Sequence, residues 1–260
     1  MRQVTRTIGI LALLGAAAGC DDNNGGDINA PPAGPIATAI SATGDITAKV
    51  NEYRALLGDP KNGGTTPPQA AGRREIGWDG VPANFNNGDN LFPGDFFNTS
   101  AKLGAILTTS GTGFRNDSSL FAGVDPSYSA EFNFFSANKI FAPVGSNQLD
   151  VTFRVPGTTT PALSNGFGAV FSDVDTPTAT YLQYYANDGR LLGRYDVPVR
   201  SDATGLSFVG VKYDSVAVAR VRITLGQGAL GAGISDVSAG GTLDLVVVDD
   251  FLYGEPQPAQ

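Results

Sequence analysis

The sequence predicts an all-β chain: an antiparallel jelly-roll β-sandwich of about eight strands, preceded by one short helix and a flexible tether. Three observations carry this. Apolar residues alternate with polar ones over strand-length runs, as in residues 149–155, where Leu149, Val151, Phe153 and Val155 share one face. Gly, Pro, Asn, Asp and Thr gather between those runs, in a chain with 34 Gly and 16 Pro. No strand–helix–strand alternation is present, which argues against a parallel sheet. A hydrophobic content of 42% is enough for a sizeable core.

The missing residue types bound the chemistry. With no His among 260 residues there is no imidazole base and no imidazole metal ligand. A single Cys allows no internal disulfide. Any bound metal is therefore expected to be a hard cation held by oxygen, with calcium the first expectation. The net charge of −8 and the lack of a basic stripe argue against nucleic acid as a partner.

In chain order, residues 1–19 read as a lipoprotein signal peptide. Arg2 and Arg6 precede the apolar run 8–18, which is too short to span a bilayer and leads to Cys20. The stretch LLGAAAGC resembles the lipobox of bacterial lipoproteins, with Ala where the match would prefer Leu. The resemblance implies lipidation of Cys20, attachment to a membrane through that lipid, and a place in the cell envelope, periplasm-facing or at the cell surface. Loss of residues 1–19 leaves 15 basic against 25 acidic residues, a body that anionic headgroups would repel, so the acyl chains must supply the attachment.

Residues 20–44 read as a flexible tether, rich in Asp, Asn, Gly and Pro at its start. Residues 45–71 form a helix and connector. Ile46, Val50, Tyr53 and Leu57 recur at helical spacing, Asp45 can cap the start, and Gly58 with Pro60 ends the helix. Residues 72–256 form the sandwich, and 257–260 a short tail. The block 72–85 holds the only Trp, Trp78, beside Arg73, Arg74, Glu75 and Asp79. It is either a ligand site or an Arg–carboxylate network with Trp78 filling the core.

Three blocks in order, GRREIGWDGVP at 72–82, NGFGAVFSDVD at 165–175 and VVVDDFLYGEP at 246–256, resemble an uncharacterised family of exported bacterial proteins. The resemblance covers about residues 55–256 and implies no activity. Some members carry a C-terminal exosortase sorting tail, whose anchoring role the lipobox would take over here.

Strands are expected at 130–141, 149–155, 166–171, 180–186, 190–197, 206–213, 217–224 and 242–253. Asn187-Asp188-Gly189 marks a hairpin between the fourth and fifth. The last strand is the most telling, since it carries Asp249 and Asp250 among apolar residues. At the level of fold the pattern resembles non-catalytic carbohydrate-binding modules, in which calcium often lies near such carboxylates. That analogy does not establish function.

Asp173, Asp175, Asp249 and Asp250 form the candidate metal site. Asp173 and Asp175 point the same way on an extended chain, whereas Asp249 and Asp250 point to opposite faces. The alternative is a solvated loop at 173–175 and a structural role for the pair. For a glycan ligand, Trp78, Tyr128, Tyr181 and Tyr185 are the candidate platforms, against packing as the alternative. Of the four glutamates, Glu75 and Glu131 are the plausible acids for a carboxylate-dependent glycosidase or lyase, but no motif surrounds either. The expected function is non-catalytic binding by a membrane-anchored lipoprotein, of glycan and with calcium, or a structural or adhesive role with an envelope protein as partner. An enzyme is not expected.

Overall fold

Fourteen strands in two antiparallel sheets form the structure, a computed structural model that describes residues 34–64, 66–200, 202 and 204–259. The signal, Cys20 and the first part of the tether lie outside the described residues. In chain order the elements are β1 (Ala37–Thr43), helix α1 (Thr47–Leu57), β2 (Arg73–Ile76), the one-turn helix α2 (Phe96–Thr99), β3 (Ala105–Thr109) and β4 (Gly113–Asp117). Then follow β5 (Ile140–Val144), β6 (Gln148–Arg154), β7 (Pro161–Leu163), β8 (Gly166–Ser172), β9 (Tyr181–Tyr185) and β10 (Leu191–Asp196). The last are β11 (Leu206–Tyr213), β12 (Arg220–Thr224), β13 (Val247–Gly254) and β14 (Gln257–Pro258). The all-β sandwich with a single helix of more than one turn is as expected. No helix among the described residues is long and apolar enough to cross a membrane.

The first sheet runs β1-β11-β8-β13-β5-β4, with β2 also paired to β13. The second runs β10-β9-β12-β6-β7-β14, with β3 also paired to β6. From β8 onward the chain passes between sheets repeatedly, which buries the facing sides of both. Phe153, Phe167, Val221, Ile223, Phe251 and Tyr253 belong to that shared core.

The first sheet is covered on its other face as well. There α1 lays Val50, Tyr53 and Leu57 against Ile40, Val170, Phe208 and Leu252. Burying three such side chains contributes about 1.5–3 kcal/mol each. Asp45 accepts a hydrogen bond from the Thr47 amide at 3.1 Å, and Gly58 at φ +101° ends the helix. Glycines admit the helix to the sheet: a Cβ on Gly168 or Gly210 would lie 2.8 Å from the Tyr53 ring. The Tyr53 hydroxyl donates to the Val211 carbonyl at 2.9 Å. Beside this, Phe121, Tyr128, Phe132, Ile140, Leu245 and Val247 form a third apolar cluster under two long loops. Cover on both faces explains why every residue of β8 and β13 is buried.

Several elements differ from expectation. Residues 37–43, expected in the tether, pair with β11 as an edge strand, and 257–258, expected in the tail, pair with β7. Neither has the apolar alternation that marks a half-buried strand. Residues 130–139 are not a strand. A 3₁₀ turn at Pro126–Ala130 leads into irregular chain, and the strand starts only at Ile140. The phenylalanines there pack on an existing sheet face without joining a ladder. Residues 242–246 are likewise irregular, so the final strand begins at Val247.

Candidate metal centre

Five acidic side chains converge where β8 ends. Asp173 follows the last residue of β8 with φ +67°, a left-handed conformation that Asp tolerates better than most residues. Its amide donates to the Gly205 carbonyl, and Val174 forms an isolated bridge with Arg200. Asp175 comes two residues later. The segment 226–246 crosses this end of the sandwich. Within residues 231–243 Asp236 alone is buried, at 1% exposure. An exposed Gly- and Ser-rich loop thus turns a carboxylate inward where an apolar anchor would be usual. Asp236 Oδ1 accepts from the Ser238 amide at 2.7 Å and Oδ2 from the Leu245 amide at 2.6 Å. Asp244 accepts from the Thr176 amide at 2.9 Å and the Asp175 amide at 3.4 Å. Glu131, just after the 3₁₀ turn, accepts from the Ser238 hydroxyl.

The carboxylates fall into two triads. Glu131, Asp173 and Asp236 each bring an oxygen within 4.8 Å of the others, and so do Asp175, Asp236 and Asp244. Asp173 is wholly buried, and neither of its oxygens has a hydrogen-bond partner. Both Asp175 oxygens are also buried and unpartnered. Such groups cost several kcal/mol unless a proton or a cation meets them. Burial, with the charges of Asp236, Asp175, Glu131 and Asp244 behind it, pushes Asp173 up to about 9. Burial and then the Asp236 and Asp244 charges raise Asp175 to about 6. Burial also raises Asp244 to about 6, against the pull of the Thr176 and Asp175 amides.

Several other acids in this chain are met by arginine. Arg74 forms a buried pair with Glu255 at 2.7 Å, and Arg115 meets Asp117 at 2.7 Å. Glu75 takes Arg73 at 2.8 Å, Lys61 at 3.0 Å and Arg54 at 3.2 Å. Among the described residues no Lys or Arg forms an ion pair with any of the five clustered acids. The donor set is hard oxygen throughout, and amides hold Asp236 and Asp244 in orientation. It fits a hard divalent cation, and a site so rich in carboxylates suits calcium better than magnesium, which keeps more of its water.

The expected site is therefore half corrected. Asp173 and Asp175 belong to the cluster. Asp249 and Asp250 do not, and belong to a separate polar site. The Asp249 carboxylate accepts from the Phe135 amide at 2.7 Å and the Ser136 amide at 3.2 Å. The Ser136 hydroxyl reaches Asp249 at 3.1 Å and Asp250 at 2.8 Å. Simple alternation would separate the pair, but the register of β13 against β8 shifts between Val248 and Phe251. That bulge turns both carboxylates toward Ser136. Burial and the neighbouring Asp250 raise Asp249 to about 8, and burial raises Asp250 as well.

Asp236 and Asp244 are not among the residues that the sequence singles out, and Glu131 stands out there only as a candidate acid. Asp244 carried a signal, since Leu243 and Leu245 flank it within an apolar run. Asp236, in GISDVSAGG, looks like any turn residue.

Two of the four aromatic candidates are core. Trp78 is fully buried, stacked on Phe141 with centroids 3.9 Å apart, and donates from Nε1 to the Asp249 carbonyl at 2.8 Å. Tyr128 is fully buried, its hydroxyl 2.9 Å and 2.8 Å from the Gly231 and Ile234 carbonyls. Neither can stack on a glycan. Tyr181 and Tyr185 are half-buried on the outer face of the second sheet. Arg194 lies over the Tyr181 ring at 3.6 Å and Arg220 over Tyr185 at 3.9 Å. Asp150 joins Arg220 and Arg222 beside them. No family model, curated protein or solved structure matches the chain.

Proposed function

We propose that this chain is an exported lipoprotein, held in the cell envelope by a lipid on Cys20, whose sandwich is closed at one end by calcium and binds without catalysing. One observation carries the calcium reading: Asp173 is wholly buried, both oxygens unpartnered, among four other acids with which no described Lys or Arg forms an ion pair. A hydrolase would need two carboxyl groups beside an accessible substrate. Glu131, Asp173 and Asp236 are instead buried under a loop, which supports the non-catalytic reading.

The outer face of the second sheet is the proposed ligand surface. Tyr181 and Tyr185 there stand about 13 Å apart along β9, at about 3.3 Å per residue. Gln183 lies between them, and Asp150 and Arg222 line a shallow pocket beside them. Aromatic rings with paired polar groups suit a glycan.

Thermal melting of the full chain with calcium, with magnesium, with chelator and across a glycan panel tests both parts. At a calcium concentration about 100 times Kd, binding to the folded state alone should raise Tm by roughly 5–10 °C over chelator. A melting curve indifferent to calcium and chelator would overturn the calcium reading. A bound glycan should raise Tm further, and Tyr181→Ala should abolish that second shift. If no glycan moves Tm, the outer face is not a glycan surface.

A further inference from the structure

Resting on the reading of the cluster as a cation site, we infer that it holds two divalent cations, bridged by Asp236. The five carboxylates do not form one ring. They form an inner triad, Glu131, Asp173 and Asp236, and an outer triad, Asp175, Asp236 and Asp244, with Asp236 in both. Within each triad the oxygens lie no more than 4.8 Å apart. An ion with calcium–oxygen distances of about 2.3–2.6 Å spans such a set.

Charge points the same way. With all five acids ionised, one divalent cation leaves three negative charges uncompensated where no described Lys or Arg forms an ion pair, and two leave one. The side chains also divide their duties. Asp173 has no partner and is aimed into the inner triad, and Asp175 has none and lies in the outer one. Asp236 spends one lone pair of each oxygen on the Ser238 and Leu245 amides. A carboxylate has about four such positions, so one per oxygen is left for a cation on either side.

The two positions differ in access. A surface depression lined by Asp175, Thr176, Val237 and Ser238 lies beside the outer triad, whose Asp175 is the one half-exposed residue of the five.

Calcium titration of the chelator-treated full chain by calorimetry, with native mass spectrometry for the count, tests this at physiological ionic strength. Two calcium ions per chain are expected. Asp173→Asn should bind one, retained at the outer triad, and Asp175→Asn one, retained at the inner. Asp236→Asn should weaken both, and circular dichroism of each variant checks that it is folded. One ion per wild-type chain would overturn the two-ion site while leaving the proposed calcium site in place. No bound ion would overturn both. Two ions retained in both Asp173→Asn and Asp175→Asn would show that calcium binds elsewhere, and would also overturn the inference.

Discussion

At the scale of single residues, what distinguishes this chain is how it treats buried acids. Where an arginine is within reach, as for Glu255 with Arg74, the acid becomes part of the frame and ties the 72–82 block to the end of β13. Where none is, the acids must share a proton or take a cation. Asp249 belongs to the proton-sharing class. Its carboxyl rises from the ordinary 3.8 to about 8 through burial and the nearby Asp250. Between those values the folded chain keeps a proton that the unfolded chain has lost. Its contribution to stability is therefore full below about pH 4 and falls as pH rises toward 8. Asp249→Asn cannot ionise but keeps an acceptor for the Phe135 and Ser136 amides and a donor toward Asp250. At one fixed calcium concentration, the variant should lose less Tm than wild type between pH 5 and pH 8. Parallel pH profiles would mean that Asp249 carries no such proton.

At the scale of elements, the first sheet depends on close approach. Helix α1 seats Tyr53 directly on the backbone of Gly168 and Gly210, so the two glycines set the depth at which the helix lies. Gly210→Ala would place a methyl 2.8 Å from three Tyr53 ring atoms. The helix would have to lift, at a cost of about 1–3 kcal/mol, typical of overpacking. Urea unfolding should report that loss. If Tyr53→Ala leaves the same Gly210→Ala penalty, the clash is not its source. The loop 226–246 poses the opposite case. Within residues 231–243 Asp236 alone is buried, and the loop is held by that carboxylate together with the Tyr128 hydroxyl, which donates to the Gly231 and Ile234 carbonyls.

At the scale of the whole molecule, the sandwich is closed by polar sites that lie apart. The Arg74–Glu255 pair links the first strand after the connector to the segment after β13, and the acidic cluster links the end of β8 to the segments 118–139 and 226–246. The proposed anchor lies before all of this. Replacing Cys20 by Ser should move the protein from the membrane fraction to the soluble one. Continued membrane association of that variant would rule out the lipid anchor.

Local pattern along the chain reveals the fold class and most of the second half of the chain. The reason is that β6, β8, β9 and β11 each satisfy a local rule: alternation, a buried apolar run or a hairpin turn. It also brought out Asp173 and Asp175, which are close neighbours on one strand end. Which acids meet them depends on where distant segments cross. Asp236 and Asp244 lie some sixty or seventy residues away in sequence, and nothing local distinguishes Asp236 from an ordinary turn aspartate. Asp249 and Asp250 were drawn into the wrong site because strand alternation foretells a face, while a bulge redirects it. The acidic cluster is a property of where distant loops cross, and no pattern along the chain records a crossing.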